Sequence, residues 1–374
     1  MTPAAEALLA LSLVEGLGKK HLRALLRVFG HVEAILDASP PALCQAVGLH
    51  PDLAARIGKA REVDAFRMEM RLIEQHGIRL VTLADPDYPP LLLETGAPPP
   101  VLYTKGNIPL TCTLGIGVVG TRRCTRAGIK ATRRLVADMA TQAPELVVIS
   151  GLARGVDTAA HQQALESGLA TVAVLAGGLT SIYPPENAGL AESIAQHGAL
   201  VTEFPMTSPP LGKNFPIRNR IISGLSTGLL VVEAGEKSGA LITAGFALNQ
   251  NREVFAVPGG IDEQNSRGTN RLIQKGQGKL VMDAADILEE LPGFRREPSQ
   301  QMELLETVPP PQGLKVRPEG EKGRVIAALT RGALHPDDLA EETELPVERL
   351  LGLLLELELE GEVVQTTENQ YALS

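Results

Sequence analysis

Tryptophan is missing from this 374-residue chain, and the aromatic residues together make up only 3% of it. So small a supply argues against a broad stacking platform, and any nucleic-acid site here would have to lean on phosphate contacts. Cysteine is nearly as scarce. Cys44, Cys112 and Cys124 stand far apart with no CxxC-type spacing, which sets aside a disulfide framework or a zinc site and predicts a reduced, cytoplasmic setting. No apolar run nears the roughly 18 residues that span a bilayer, so no membrane partner is expected. The opening MTPAAEALLALSLVEG carries two glutamates and no basic region ahead of its apolar stretch, a poor match to a signal peptide.

Positive charge also looks deficient, since the net charge is −9, but its distribution changes the reading. Residues 332–374 hold eleven acidic side chains against one arginine, leaving residues 1–331 at +1. Within that larger part, residues 115–134 carry Arg122, Arg123, Arg126, Lys130, Arg133 and Arg134 and no acid at all. Such a block can dominate local binding whatever the global charge.

Three patterns divide the chain. Residues 1–75 read as short helices broken by glycine and proline. Residues 76–293 alternate short apolar runs with helical periodicity, and a polar, proline-bearing linker over 294–320 leads to a small helical unit with a hairpin signal over 321–374. In the middle part, residues 114–119, 146–150, 171–175, 199–202, 229–233, 253–257 and 279–282 read as strands, preceded by 78–83 and 101–103. Helical patterns lie over 128–141, 156–167, 186–197, 218–226 and 239–250. This alternation predicts an α/β fold, a mainly parallel sheet covered on both faces, whose ligands gather at the carboxyl ends of the strands.

The loops at those ends are suited to anions. The literal GxGxxG of residues 115–120 does not describe a dinucleotide site, because Gly115 and Gly117 fall inside the apolar run and the next strand ends at Ser150 instead of an acid. No cofactor is expected. Gly120-Thr121-Arg122-Arg123 supplies close backbone approach, a hydroxyl and guanidinium groups. Ser150 and Gly151 open a second turn, in which Asp157 and His161 share a helical face without a nucleophile and read as structural. Tyr183 closes a third loop, as a base-stacking group or as part of the core. Arg218, Asn219 and Arg220 form a cationic turn before a helix, and Lys237-Ser238-Gly239 ends a strand and opens another helix, whose free N–H groups favour an anion.

Taken together, GTR at 120–122, SGLARGVDTAAH at 150–161, IYPPEN at 182–187, TEFP at 202–205, FPIRNRIISGLS at 215–226, VVEAGEKSGALITA at 231–244, VFAVPGG at 254–260 and GTNRLIQKG at 268–276 resemble the DNA-processing protein A (DprA/Smf) family. The resemblance implies an extended Rossmann-like domain that binds single-stranded DNA without cutting it, loads the RecA recombinase during natural transformation, and forms a homodimer. Its DNA site would comprise Gly120, Thr121, Arg122, Arg123, Ser150, Gly151, Arg218, Asn219, Arg220, Lys237, Ser238 and Gly239. Ala176-Gly177-Gly178 departs from the glycine–cysteine–glycine that the family more often shows.

The flanks fit the same picture. Gly16, Gly18, Lys19 and Lys20 resemble a helix-hairpin-helix turn within a SAM-like domain, a secondary DNA contact, with a weaker echo near Gly48. The last unit has the outline of a winged helix, but its third helix, over 347–360, carries four glutamates and one arginine. Such a helix would repel duplex DNA, which suggests a protein-contact module. Two other functions share these features. One is a nucleoside-monophosphate phosphoribohydrolase using Glu203 or Glu233, and the other is a sensor that binds a nucleotide in the same pocket.

Overall fold

The computed structural model describes residues 2–106, 110–111, 114–294, 320–330, 332–359, 361–365 and 370–373. Cys112 and nearly all of the expected linker lie outside these residues. Residues Met1–Arg296 form one compact unit and Glu297–Ser374 a second.

The first unit opens with six helices, α1 (Pro3–Ser12), α2 (Lys19–Phe29), α3 (Val32–Asp37), α4 (Pro40–Val47), α5 (Pro51–Gly58) and α6 (Asp64–Gln75). Proline sits in the first turn of α1, α4 and α5, where its missing N–H costs nothing. Strands β1 (Arg79–Thr82) and β2 (Val101–Gly106) follow, separated by the short α7 (Pro90–Leu93). Then come β3 (Gly115–Val119), α8 (Arg126–Gln142), β4 (Val147–Ser150), α9 (Val156–Glu166), β5 (Thr171–Val174), α10 (Ala188–His197) and β6 (Ala199–Thr202). The second half runs α11 (Asn214–Leu225), β7 (Gly228–Val231), α12 (Gly239–Asn249), β8 (Glu253–Ala256), α13 (Arg267–Gln274), β9 (Lys279–Leu280) and α14 (Ala285–Leu288).

These nine strands form one sheet in the order β1-β2-β6-β5-β4-β3-β7-β8-β9. Pairing is parallel from β6 through β9 and antiparallel where β1 and β2 extend the β6 edge. The expected α/β class is therefore what the chain adopts. Successive residues of the central strands alternate between two cores. Ile116, Val118, Val148, Leu230 and Phe255 pack with α8 and α9. Val119, Ile149, Val174, Leu229 and Val231 pack with α11 and α12. Burial on both faces explains why these strands read as unbroken apolar runs. The N-terminal helices share a third core with the same sheet, in which Leu8, Leu25, Ile35 and Ile57 meet Tyr103, Leu175 and Leu200.

The second unit holds α15 (Glu321–Leu329), α16 (Pro336–Thr343), α17 (Val347–Leu359) and the hairpin of β10 (Val363–Gln365) with β11 (Tyr371–Leu373). Its own core is built on Val325, Leu329, Leu339, Leu350 and Leu354. Of the leucines in excess of one stripe, Leu351 and Leu355 are 46% and 59% exposed. No described helix is long and apolar enough to cross a membrane.

Candidate nucleic-acid interface

Chain order places the site. β3 to β6 build the sheet in one direction, and the chain then returns to lay β7 on the other side of β3. At such a reversal the loops after neighbouring strands diverge and open a crevice at their carboxyl ends. A cleft of about 730 Å³ lies there, lined by Gly120, Thr121, Arg122 and Arg123 after β3, Asp157 of α9, Arg218 and Asn219 of α11, and Ser238 and Gly239 at the start of α12.

Close approach of backbone to neighbour explains two of the glycines. A Cβ on Gly120 would lie 2.4 Å from Val156, so a side chain there would push α9 away from β3. Gly155, at φ +81°, lets the turn before α9 run against Thr121 and Arg122. The Thr121 amide donates to the Glu233 carbonyl at 2.7 Å, tying the first loop to the end of β7.

The N-terminus of α8 is already occupied by an anion from within the chain. Glu233 is 7% exposed; one of its carboxylate oxygens accepts from the Thr125 amide at 2.9 Å and the other from the Thr125 hydroxyl. A Cβ on Gly128 would sit 2.4 Å from the Glu233 carboxyl carbon. Gly128→Ala should therefore lower stability by about 1–2 kcal/mol, although alanine is the better helix former by about 1 kcal/mol. A urea midpoint equal to or above wild type would refute this cap.

Of the three residues read from sequence as one cationic turn, Arg218 and Asn219 stay at the cleft and Arg220 turns away, because all three lie inside α11, which begins four residues earlier than expected with Pro216 in its first turn. Residues two apart on a helix point roughly 200° apart. Arg218 is 3% exposed and donates to the carbonyls of Gly151, at 2.6 Å, and Val174. It braces the loops under the cleft floor, and Gly151 leaves room for its guanidinium. Arg220 faces the N-terminal helices and donates to the Glu203 carboxylate at 2.6 Å and to the Ala97 carbonyl. Lys19 pairs with the same carboxylate, so the hairpin lysine and Arg220 share Glu203, which does not line the cleft. Gly16, Gly18 and Lys20 are exposed. Ser150 is buried and donates to the Val118 carbonyl at 2.6 Å. Lys237 is exposed in the turn before α12, with no ion-pair partner among the described residues.

Burial raises the Asp157 carboxyl to about 6, against the pull of neighbouring Arg218, and lowers Arg218 to about 10. An Asp157 oxygen accepts from the Ala153 amide at 3.3 Å, which orders the loop. His161 makes no bond to it. Its Nδ1 lies 2.7 Å from the Thr171 hydroxyl, and burial depresses it to about 3, so the two do not act as a pair. Asn187 donates to the Leu152 carbonyl and the Thr158 hydroxyl, both at 2.9 Å, holding the second loop against the third.

Tyr183, expected to stack on a base or to close its loop against the core, meets a partner that no local pattern links to it. Tyr183 and Phe215 meet edge to face at 5.8 Å, and the Arg122 guanidinium lies 4.6 Å from the Phe215 centroid. Few as the aromatics are, two of them line this cleft. Neither Glu203 nor Glu233 lines it, and among its lining residues Asp157 is the one carboxylate. Among the described residues no group of His, Cys, Asp or Glu could hold a metal ion.

Fold and cleft together define an extended Rossmann-like protein with an arginine-lined crevice at its topological switch point. The profile of the DNA recombination-mediator protein A family matches residues 79–292, and that of the DprA winged helix domain matches residues 308–369. The chain belongs to this DprA/Smf family of DNA-processing proteins. It is 40% identical to Protein Smf of Escherichia coli over 291 residues, 77% of this chain and 76% of that one. It is 42% identical to DNA processing protein DprA of Bacillus subtilis over 219 residues, 58% of this chain and 73% of that one. The X-ray structure of DNA processing protein A from Streptococcus pneumoniae superposes with a TM-score of 0.68 at 32% identity, covering 78% of this chain and 99% of that one. A structure described for the single-stranded DNA binding mode of DNA processing protein A from Helicobacter pylori superposes with a TM-score of 0.50 at 30% identity, covering 56% and 93%.

Proposed function

We propose that this protein is a single-stranded DNA-binding recombination mediator. It protects incoming strands in natural transformation and loads the RecA recombinase in the cytoplasm, working as a homodimer and breaking no bond itself. The observation that carries the reading is the cleft at the switch point. There Arg122 and Arg123, neither held in an ion pair among the described residues, line the cleft together with the start of α12. Phosphate contacts of this kind fix a strand without reading its sequence. The solved Helicobacter pylori relative adds support, since single-stranded DNA is the ligand its description names. Gly120, Thr121, Arg122, Arg123, Asn219, Lys237, Ser238 and Gly239 are the proposed contacts, with Ser150, Gly151 and Arg218 holding them in place. Arg220 and Lys19 join the N-terminal helices to this domain. Gly16, Gly18 and Lys20 remain a proposed secondary contact.

The test is a titration of labelled single strands of graded length, duplex DNA and nucleoside monophosphates at several salt concentrations. Affinity should rise with strand length, fall steeply with salt and exceed that for duplex. Saturation by a mononucleotide, with no gain on lengthening, would replace the mediator with a nucleotide sensor. Release of base from the mononucleotide would indicate the phosphoribohydrolase.

A further inference from the structure

Helix α8 begins beside the cleft, three residues after Arg123, and carries Arg126, Lys130 and Arg133 along its exposed side. The spacing i, i+4, i+7 stacks them on one face, opposite the buried Thr132, Leu135, Val136 and Met139. Their charges are uncompensated. None of the three has an ion-pair partner among the described residues; Arg133 meets only the neutral amide of Gln162, at 3.3 Å. The sequence holds no acid from Thr95 through Ala137, so i±4 pairing is not available to them.

Their position also works against the helix itself. Cations in the first turns oppose the macrodipole, and the first turn of α8 holds no acid of its own. The buried Glu233 carboxylate supplies the capping anion. A stripe that neither pairs nor suits its helix is accounted for by an anion outside the chain. Because the helix end is filled, that anion must lie along the side.

We propose that Arg126, Lys130 and Arg133 form a phosphate track that carries a single strand onward from the cleft for roughly 10 Å along α8. The proposal rests on the single-strand reading above and extends it from a pocket to a path with a direction, from the β3 loop toward the carboxyl end of α8.

The experiment compares wild type with the full-length triple variant Arg126→Gln, Lys130→Gln, Arg133→Gln. The probes are a short and a long oligothymidylate, on the order of 5 and 25 nucleotides. The short strand, which the cleft alone can hold, should bind both proteins alike. The advantage of the long strand should shrink about tenfold or more in the variant. Its log–log salt slope should become shallower by about 2, from three contacts at roughly 0.7 each. Unchanged long-strand binding would make the stripe a solvated face, and equal loss for both strands would assign it to the cleft or the fold; either result overturns the track. If wild type binds neither strand, the single-strand reading itself fails, an outcome visible without the variant.

Discussion

Arg122→Ala combined with Lys237→Ala should weaken single-stranded DNA binding on the order of 100-fold at moderate salt. Each side chain is exposed, and neither has an ion-pair partner among the described residues. One stands after β3, and the other in the turn that opens α12. A charge-assisted contact contributes about 1.5 kcal/mol or more, close to a tenfold loss apiece. Two lost phosphate contacts should also flatten the salt slope by about 1.4. Arg122→Ala has a second effect, since its guanidinium packs over Phe215 and its removal would loosen the ring against Tyr183. Folding should be nearly untouched, because exposed substitutions of this kind stay within about 0.5 kcal/mol. Fluorescence anisotropy with a labelled strand, beside a urea melt, separates the two effects. Undiminished affinity in the double variant would remove the cleft from the interface.

Much of this site was legible in the sequence because parallel strands buried on both faces announce themselves as apolar runs, and the glycine-rich turns follow directly after them. Gly120, Arg122 and Ser238 could be placed at strand ends without coordinates. What failed to show was whatever depends on helix phase or on distant partners. Arg218 and Arg220 look equivalent as one cationic turn; with α11 starting at Asn214, one arginine faces the floor and the other the N-terminal helices. Glu233 looked like a strand-end acid free to reach a substrate. Its partner Thr125 lies 108 residues away, and no local pattern links the two. The contact between Lys19 and Glu203 spans 184 residues and is equally silent. Composition argued against aromatic contacts, yet it counts residues without showing where they gather, and Tyr183 and Phe215 gather at the cleft.

Arg218→Ala should be the most destabilising single change at the site, costing about 3–5 kcal/mol, a large share of a typical domain's stability. The substitution strips the donor from the Gly151 and Val174 carbonyls and removes the cation beside buried Asp157. Arg218→Lys should recover only part of the loss, because a single ammonium does not reproduce the planar fork. The pH dependence identifies Asp157 as the coupled group. Its folded value, about 6, lies above the ordinary 3.8, so between those values the folded state holds the extra proton. Stability therefore declines as pH rises through that window and is level above it. Without the Arg218 charge the folded value climbs higher, and the decline continues past pH 6. The deficit of Arg218→Ala relative to wild type should thus widen between pH 5 and pH 7, and adding Asp157→Asn should abolish that widening. A deficit identical at both pH values would mean that Arg218 holds the loops through its carbonyl contacts alone, with Asp157 a bystander.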